Sequence, residues 1–133
     1  ECKPVPAEIT YGLERLCMFV PGENNVFDLD WNNEGAKYKA VFFQAEKEFS
    51  AYNFEFANTE SLLKNFETTE NECKSLLEKN LSLPAYDQCL KASHIFNLLD
   101  ARGLIGVAER TGYITRIREL AKGCGALWLS SQS

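Results

Sequence analysis

From Ala36 to the last turn of the chain, one pattern recurs: apolar residues at steps of three and four, broken only by short connections. Tyr38, Val41, Phe42, Ala45, Phe49 and Tyr52 form the first stripe, with Lys37, Lys39, Glu46, Lys47 and Glu48 on the opposite, solvated face. This spacing predicts an amphipathic helix over about 36–52. Asn53 to Ala57 interrupts the pattern. Asn58 or Thr59 then offers an N-cap, and Glu60 sits in a first turn favoured by the helix dipole. Leu62, Leu63, Phe66, Cys73, Leu76 and Leu77 give a second stripe, ending near Lys79. A third helix is predicted from Pro84, suited to a first turn, to Arg102, with Gly103 at the C-terminal position that glycine favours. A fourth runs from about Val107 to Leu129 through Ile114, Ile117, Leu120, Ala121, Cys124, Leu127 and Trp128, weakened by Gly112, Gly123 and Gly125. Apolar stripes must be covered, and connections this short bring successive helices together as antiparallel neighbours. A mainly α chain with three long packed helices is therefore expected.

Composition narrows the function classes. The chain has 133 residues, 45% hydrophobic and 25% charged, which suits one globular core and not disorder. A net charge of −5 argues against gripping nucleic acid through general phosphate attraction. Cys2, Cys17, Cys73, Cys89 and Cys124 are odd in number and form no C-x-x-C, and His94 is the only histidine. Neither a disulfide framework nor a zinc site is expected, and a reduced, cytoplasmic setting fits best. No apolar run reaches the roughly 18 residues of a membrane span, and no signal peptide is visible.

The first residues follow a different pattern. After a lead-in restricted by Pro4 and Pro6, Val5, Ile9 and Tyr11 alternate as on a strand, whereas Leu13, Leu16, Cys17 and Val20 recur at helical spacing up to Pro21-Gly22. Gly12 marks the junction. Glu8, Thr10 and Gly12 would share one strand face, with Arg15 one turn into the helix. Such a junction can admit a ligand to the backbone. Equally, Glu8 can be a strand carboxylate paired with a basic neighbour, Thr10 a residue of good β-propensity, and Arg15 a solvated side chain. Because a lone strand leaves an unpaired edge, the chain is expected to be a piece of a larger one. Residues 23–35 then form a polar connection around Val26, Phe27, Leu29 and Trp31, with Trp31 expected to plug the space beneath it.

The run Thr10-Tyr11-Gly12-Leu13-Glu14-Arg15 resembles motif 3 of the class II aminoacyl-tRNA synthetases, a strand, a small-residue turn and a helix bearing an arginine. Glu8 to Leu16, Ser50 to Glu55, Leu83 to Tyr86 and Leu90 to Gly103 together are similar to the alpha subunit of the bacterial two-subunit glycyl-tRNA synthetase. The resemblance spans about Ala7 to Trp128, and an Asp-Leu-x-Trp-Asn run of the family is matched at Asp28 to Asn32. Family members usually read Phe-His-Gln-Asn-Glu where this chain has Phe42-Phe43-Gln44-Ala45-Glu46, so no role of that segment is carried over.

The resemblance implies residues 1–22 as the motif 3 strand and helix of a class II catalytic domain, the strand belonging to an antiparallel sheet formed mostly upstream. Residues 23–35 would be a connecting loop and 36–133 a C-terminal helical domain. It implies an enzyme that activates glycine with ATP and Mg2+ and charges tRNA(Gly) together with a beta subunit, as an alpha–alpha dimer, with no metal site in this chain. Arg15 would be catalytic and bind ATP with Gly12, while Glu8 and Thr10 would bind glycine. The fragment alone is expected to be inactive. The alternative is a non-catalytic helical module mediating subunit contact. His94 finds no nucleophile or acid partner at useful spacing. Ser93, Asn97 and Asp100 share a helical face suited to a polar network or an assembly contact, and Lys91, Arg102, Arg110, Arg116, Arg118 and Lys122 lend the last helices a basic character.

Overall fold

The computed structural model describes residues 5–132, so Cys2 and Pro4 lie outside the described residues. Its elements in order are α1 (Leu13–Phe19), a 3₁₀ turn (Val26–Asp28), α2 (Tyr38–Ala51), a π-helical turn (Tyr52–Phe56), α3 (Thr59–Glu78), α4 (Ser82–Ala101) and α5 (Val107–Ser130). Two compact units divide between Ser50 and Ala51.

In the second unit α3, α4 and α5 pack on one another. Leu62 and Phe66 of α3 meet Ala92, Phe96 and Leu99 of α4, with Tyr113, Ile114 and Ile117 of α5 against them. A second cluster joins Cys73, Ala85, Cys89, Leu120 and Cys124. Phe66, Cys73, Ala85, Ala92 and Leu99 are fully enclosed. The caps follow from residue chemistry. Asn58 Oδ1 accepts from the Ser61 N–H at 2.9 Å and opens α3. Both α3 and α4 close in the same way. Asn80 (φ 60°) and Gly103 (φ 66°) turn left-handed, letting Leu81 N–H reach Leu76 O and Leu104 N–H reach Leu99 O, each at 3.0 Å. Helix α4 starts at Ser82, two residues before Pro84, whose missing N–H falls among the donors a first turn leaves unpaired anyway.

The expected break at 53–57 is instead a helical continuation with a wider turn, in which Ala57 N–H bonds to Tyr52 O at 2.7 Å. Arg102, at the end of α4, donates to the Ala57 and Glu55 carbonyls freed there.

In the first unit Leu29 is the one buried residue among those described. The strand expected before Gly12 is not formed: residues 5–12 join no ladder, and the only strand-like pairing among the described residues is the bridge between Asp30 and Lys37. The physical reason is the one that defines a strand. Alternation supplies a face, but a ladder needs a neighbour, and no second strand occurs among the described residues. Trp31 does not plug the connection either. It is 52% exposed and packs edge-on against Tyr38 and Phe42, while Leu29 takes the enclosed position.

Candidate functional site

The residues around Gly12 come together locally. The Thr10 hydroxyl donates to Glu8 Oε1, so both side chains lie on the same side of the chain. Gly12 has an ordinary extended conformation (φ −81°, ψ 103°) and caps α1, whose first intrahelical bond runs from Leu16 N–H to Gly12 O at 3.1 Å. Backbone freedom is therefore not what this glycine supplies. A Cβ placed there would lie 3.7 Å from Arg15 Cγ and Cδ, in ordinary contact, so the arginine stem runs beside the glycine. Glu8, Thr10, Gly12 and Arg15 are all exposed. Between them they carry a carboxylate, a hydroxyl and a guanidinium on the open surface. The cleft nearest in sequence, about 490 Å³, opens between α1 and the connection that follows, among Leu16, Val20, Trp31 and Tyr38.

The Asp28–Asn32 run has a structural job. Trp31 N–H bonds to Ala36 O and Tyr38 N–H to Leu29 O, each at 2.8 Å. Asn32 Oδ1 accepts from the N–H groups of Glu34 and Ala36 and closes the loop. Across it Lys37 Nζ lies 2.7 Å from Asp30, and this contact holds the lysine's pKa above its ordinary value.

Polar chemistry in the helical unit is of another kind. Glu70 is buried and bound by Arg116 and Lys74, and the Arg116 guanidinium keeps its carboxyl below the usual range. The Cys73 and Cys124 sulfurs approach to 4.0 Å, and Cys73 Sγ lies 3.1 Å from Ala85 O. Burial pushes the Cys73 thiol up to about 12 and raises that of Cys89 as well. These are features of unreactive thiols. His94 is exposed in an open groove with Asn65, Thr68, Thr69 and Lys91. Both threonine hydroxyls there bond to backbone carbonyls, and Lys91 pairs with Asp87, which also lines the groove. Within the polar face of α4, Asp100 accepts from Arg110 Nε at 3.0 Å.

Sequence reasoning missed the Glu70 site, although a signal was present. The apolar stripe of α3 skips from Phe66 to Cys73, and position 70 falls four after the one and three before the other.

Among the described residues, no three His, Cys, Asp or Glu side chains gather into a metal-holding group, and no helix is long and apolar enough to cross a membrane. The family of glycyl-tRNA synthetase alpha subunits matches the chain over residues 1–133.

Proposed function

The chain belongs to the glycyl-tRNA synthetase alpha subunit family, and we propose that its Glu8–Arg15 wall takes part in forming glycyl-adenylate. In that reaction the glycine carboxylate attacks the α-phosphate of ATP and the bond to pyrophosphate breaks. Negative charge shifts onto the leaving phosphates. A planar guanidinium such as Arg15 meets that charge at two points and stays charged throughout. Gly12 leaves room for the nucleotide beside it. Glu8 binds the glycine ammonium, and Thr10 fills the space beyond the substrate's Cα. The observation that supports this reading is the pairing of Thr10 with Glu8: the hydroxyl occupies Oε1 and leaves Oε2 for an ammonium. Mg2+ would accompany the ATP, its charge set against the phosphates.

Transfer to tRNA(Gly) then requires the beta subunit, and the working enzyme is a cytoplasmic assembly with paired alpha subunits. The 133-residue chain alone supplies one open wall. Adenylate formation needs reactants held from several sides, so the isolated chain is inactive. A second reading, a helical module that joins subunits, draws on the separate core of α3, α4 and α5. ATP–pyrophosphate exchange dependent on glycine tests the first reading. Exchange by the complete alpha subunit, absent in the isolated chain, supports it. None by the complete subunit refutes it, and exchange by the isolated chain refutes only the inactivity of the chain alone.

A further inference from the structure

Three thiols meet inside the helical unit: Cys73 of α3, Cys89 of α4 and Cys124 of α5 share one enclosed cluster with Ala85 and Leu120. Two of them touch. Cys73 Sγ lies 4.0 Å from Cys124 Sγ, whereas Cys89 Sγ lies 3.8 Å from the Ile117 carbonyl oxygen. The contact has a cause in the sequence. Gly123 precedes Cys124, and a Cβ added there would lie only 3.0 Å from Leu77 Cδ1, so α3 and α5 come close where the glycine lacks a side chain. Apolar packing needs no sulfur at these positions, and adenylate formation uses none.

With the helices closed the pair is inert. Both sulfurs are shielded from water, and Cys73 is held against the Ala85 carbonyl at 3.1 Å, so a reactive thiolate does not form readily. Access depends on α5. Gly123 and Gly125 flank Cys124, and each lowers helix stability by about 1 kcal/mol relative to alanine. The C-terminal turns of α5 therefore open at reduced cost, and opening there frees Cys124 and uncovers Cys73.

We propose that Cys73 and Cys124 are a redox-sensitive pair, joined by a peroxide when the end of α5 opens, and that the bond locks α3 to α5. Cys124 loses its proton and attacks one peroxide oxygen. The O–O bond breaks, the leaving hydroxide takes that proton as water, and a sulfenic acid remains. Cys73 then attacks the sulfenic sulfur, the S–O bond breaks, and hydroxide leaves with the Cys73 proton as a second water. Two thiols thus give up two electrons and two protons, and the peroxide becomes two waters. From their 4.0 Å contact the sulfurs need close by only about 2 Å to bond. The bond links positions 51 apart, so it removes unfolded conformations and suppresses further opening.

The test treats the complete alpha subunit with hydrogen peroxide, alkylates the remaining thiols and maps the peptides by mass. A Cys73–Cys124 peptide is expected, two hydrogens lighter than the reduced pair and lost again on treatment with a dithiol reductant. It should persist in Cys89→Ser and vanish in Cys124→Ala, with circular dichroism showing both variants folded. Gly125→Ala keeps every thiol and adds a Cβ that meets nothing within 4 Å. By stiffening α5 it should slow bridging about fivefold, the helical preference for alanine over glycine. Once the bridge has formed, hydrogen exchange in α3 and α5 should slow by at least about tenfold. The proposal is overturned if Cys73 and Cys124 stay reduced while exposed Cys17 is fully oxidised, or if the bridge runs instead to Cys89. An unchanged bridging rate in Gly125→Ala, or unchanged hydrogen exchange in the bridged protein, overturns it as well.

Discussion

Arg116 of α5 grips Glu70 of α3 at two points, Nε to Oε1 at 3.1 Å and Nη2 to Oε2, while the guanidinium lies 4.7 Å from the Phe66 ring centre. Glu70 is only 5% exposed. Removing the arginine strands a buried carboxylate, so Arg116→Ala should destabilise the helical unit by about 3 kcal/mol. Lys74, 3.0 Å away, compensates in part. Arg116→Lys should recover little, since an ammonium cannot reproduce the fork or the stacking. Chemical denaturation at neutral pH measures both. The pH dependence has a definite sign. Glu70 titrates below its ordinary value of 4.5, so its stabilising effect is complete above that value and is lost as pH falls through the depressed one. Wild type should lose stability between neutral pH and pH 3 more steeply than Glu70→Gln.

The enclosed Cys73 gives an opposite trend. Cys73 keeps its proton in the folded chain up to about 12, against an ordinary value of 9.0. Between those limits the unfolded chain releases a proton that the folded one retains, so stability should fall as pH rises from 9 towards 12. Replacing Cys73 by Ser should flatten that decline. With a thiol reagent at neutral pH, and with Cys2→Ser as background, only exposed Cys17 should react quickly. Cys73, Cys89 and Cys124 should react at the rate of unfolding. Fast reaction of more than one thiol would contradict their enclosure.

The helices were legible in the sequence because amphipathic period, caps and glycine stops agreed with one another. The end of α4 at Gly103 is an example, where residue type, left-handed conformation and the Leu104-to-Leu99 bond all coincide. Three things were not legible. The π-helical turn at Tyr52–Phe56 depends on carbonyls captured by Arg102, about 45 residues later in the chain, which no local window contains. Glu70 reads as a gap in a stripe until its partner, 46 residues away, is seen beside it. Val5, Ile9 and Tyr11 alternate as a strand should, yet alternation does not supply a pairing neighbour. The separation of two put Glu8 and Thr10 on one face, but neither the hydrogen bond between their side chains nor their exposure was legible.

Arg15 is exposed, so its replacement should change stability little. In the complete enzyme Arg15→Ala should lower glycine-dependent ATP–pyrophosphate exchange about 10²–10³-fold, the usual loss for one preorganised charged donor. The KM for glycine should change far less, and Arg15→Lys should not rescue the rate. Exchange within a few-fold of wild type would remove the arginine from the reaction.

The choice of glycine should depend on Thr10 and Glu8 in separable ways. A pocket that merely binds discriminates one methylene by only about 1–3 kcal/mol, and an open one favours the larger substrate. Selecting glycine therefore means excluding alanine, which a β-branched side chain at position 10 can do by occupying the space beyond Cα. Thr10→Gly removes that bulk and also the hydroxyl that donates to Glu8 Oε1. Thr10→Ser keeps the hydroxyl and removes only a methyl group, so it separates the two effects. With amino-acid-dependent exchange in the complete enzyme, Thr10→Gly should raise the alanine-to-glycine and serine-to-glycine ratios and also raise the glycine KM. Thr10→Ser should raise the ratios less and leave that KM near wild type. Glu8→Gln should raise the glycine KM through weaker ammonium binding without altering the ratios. An unchanged alanine-to-glycine ratio in folded Thr10→Gly would show that another residue closes the pocket and leave Thr10 the lesser role of holding Glu8.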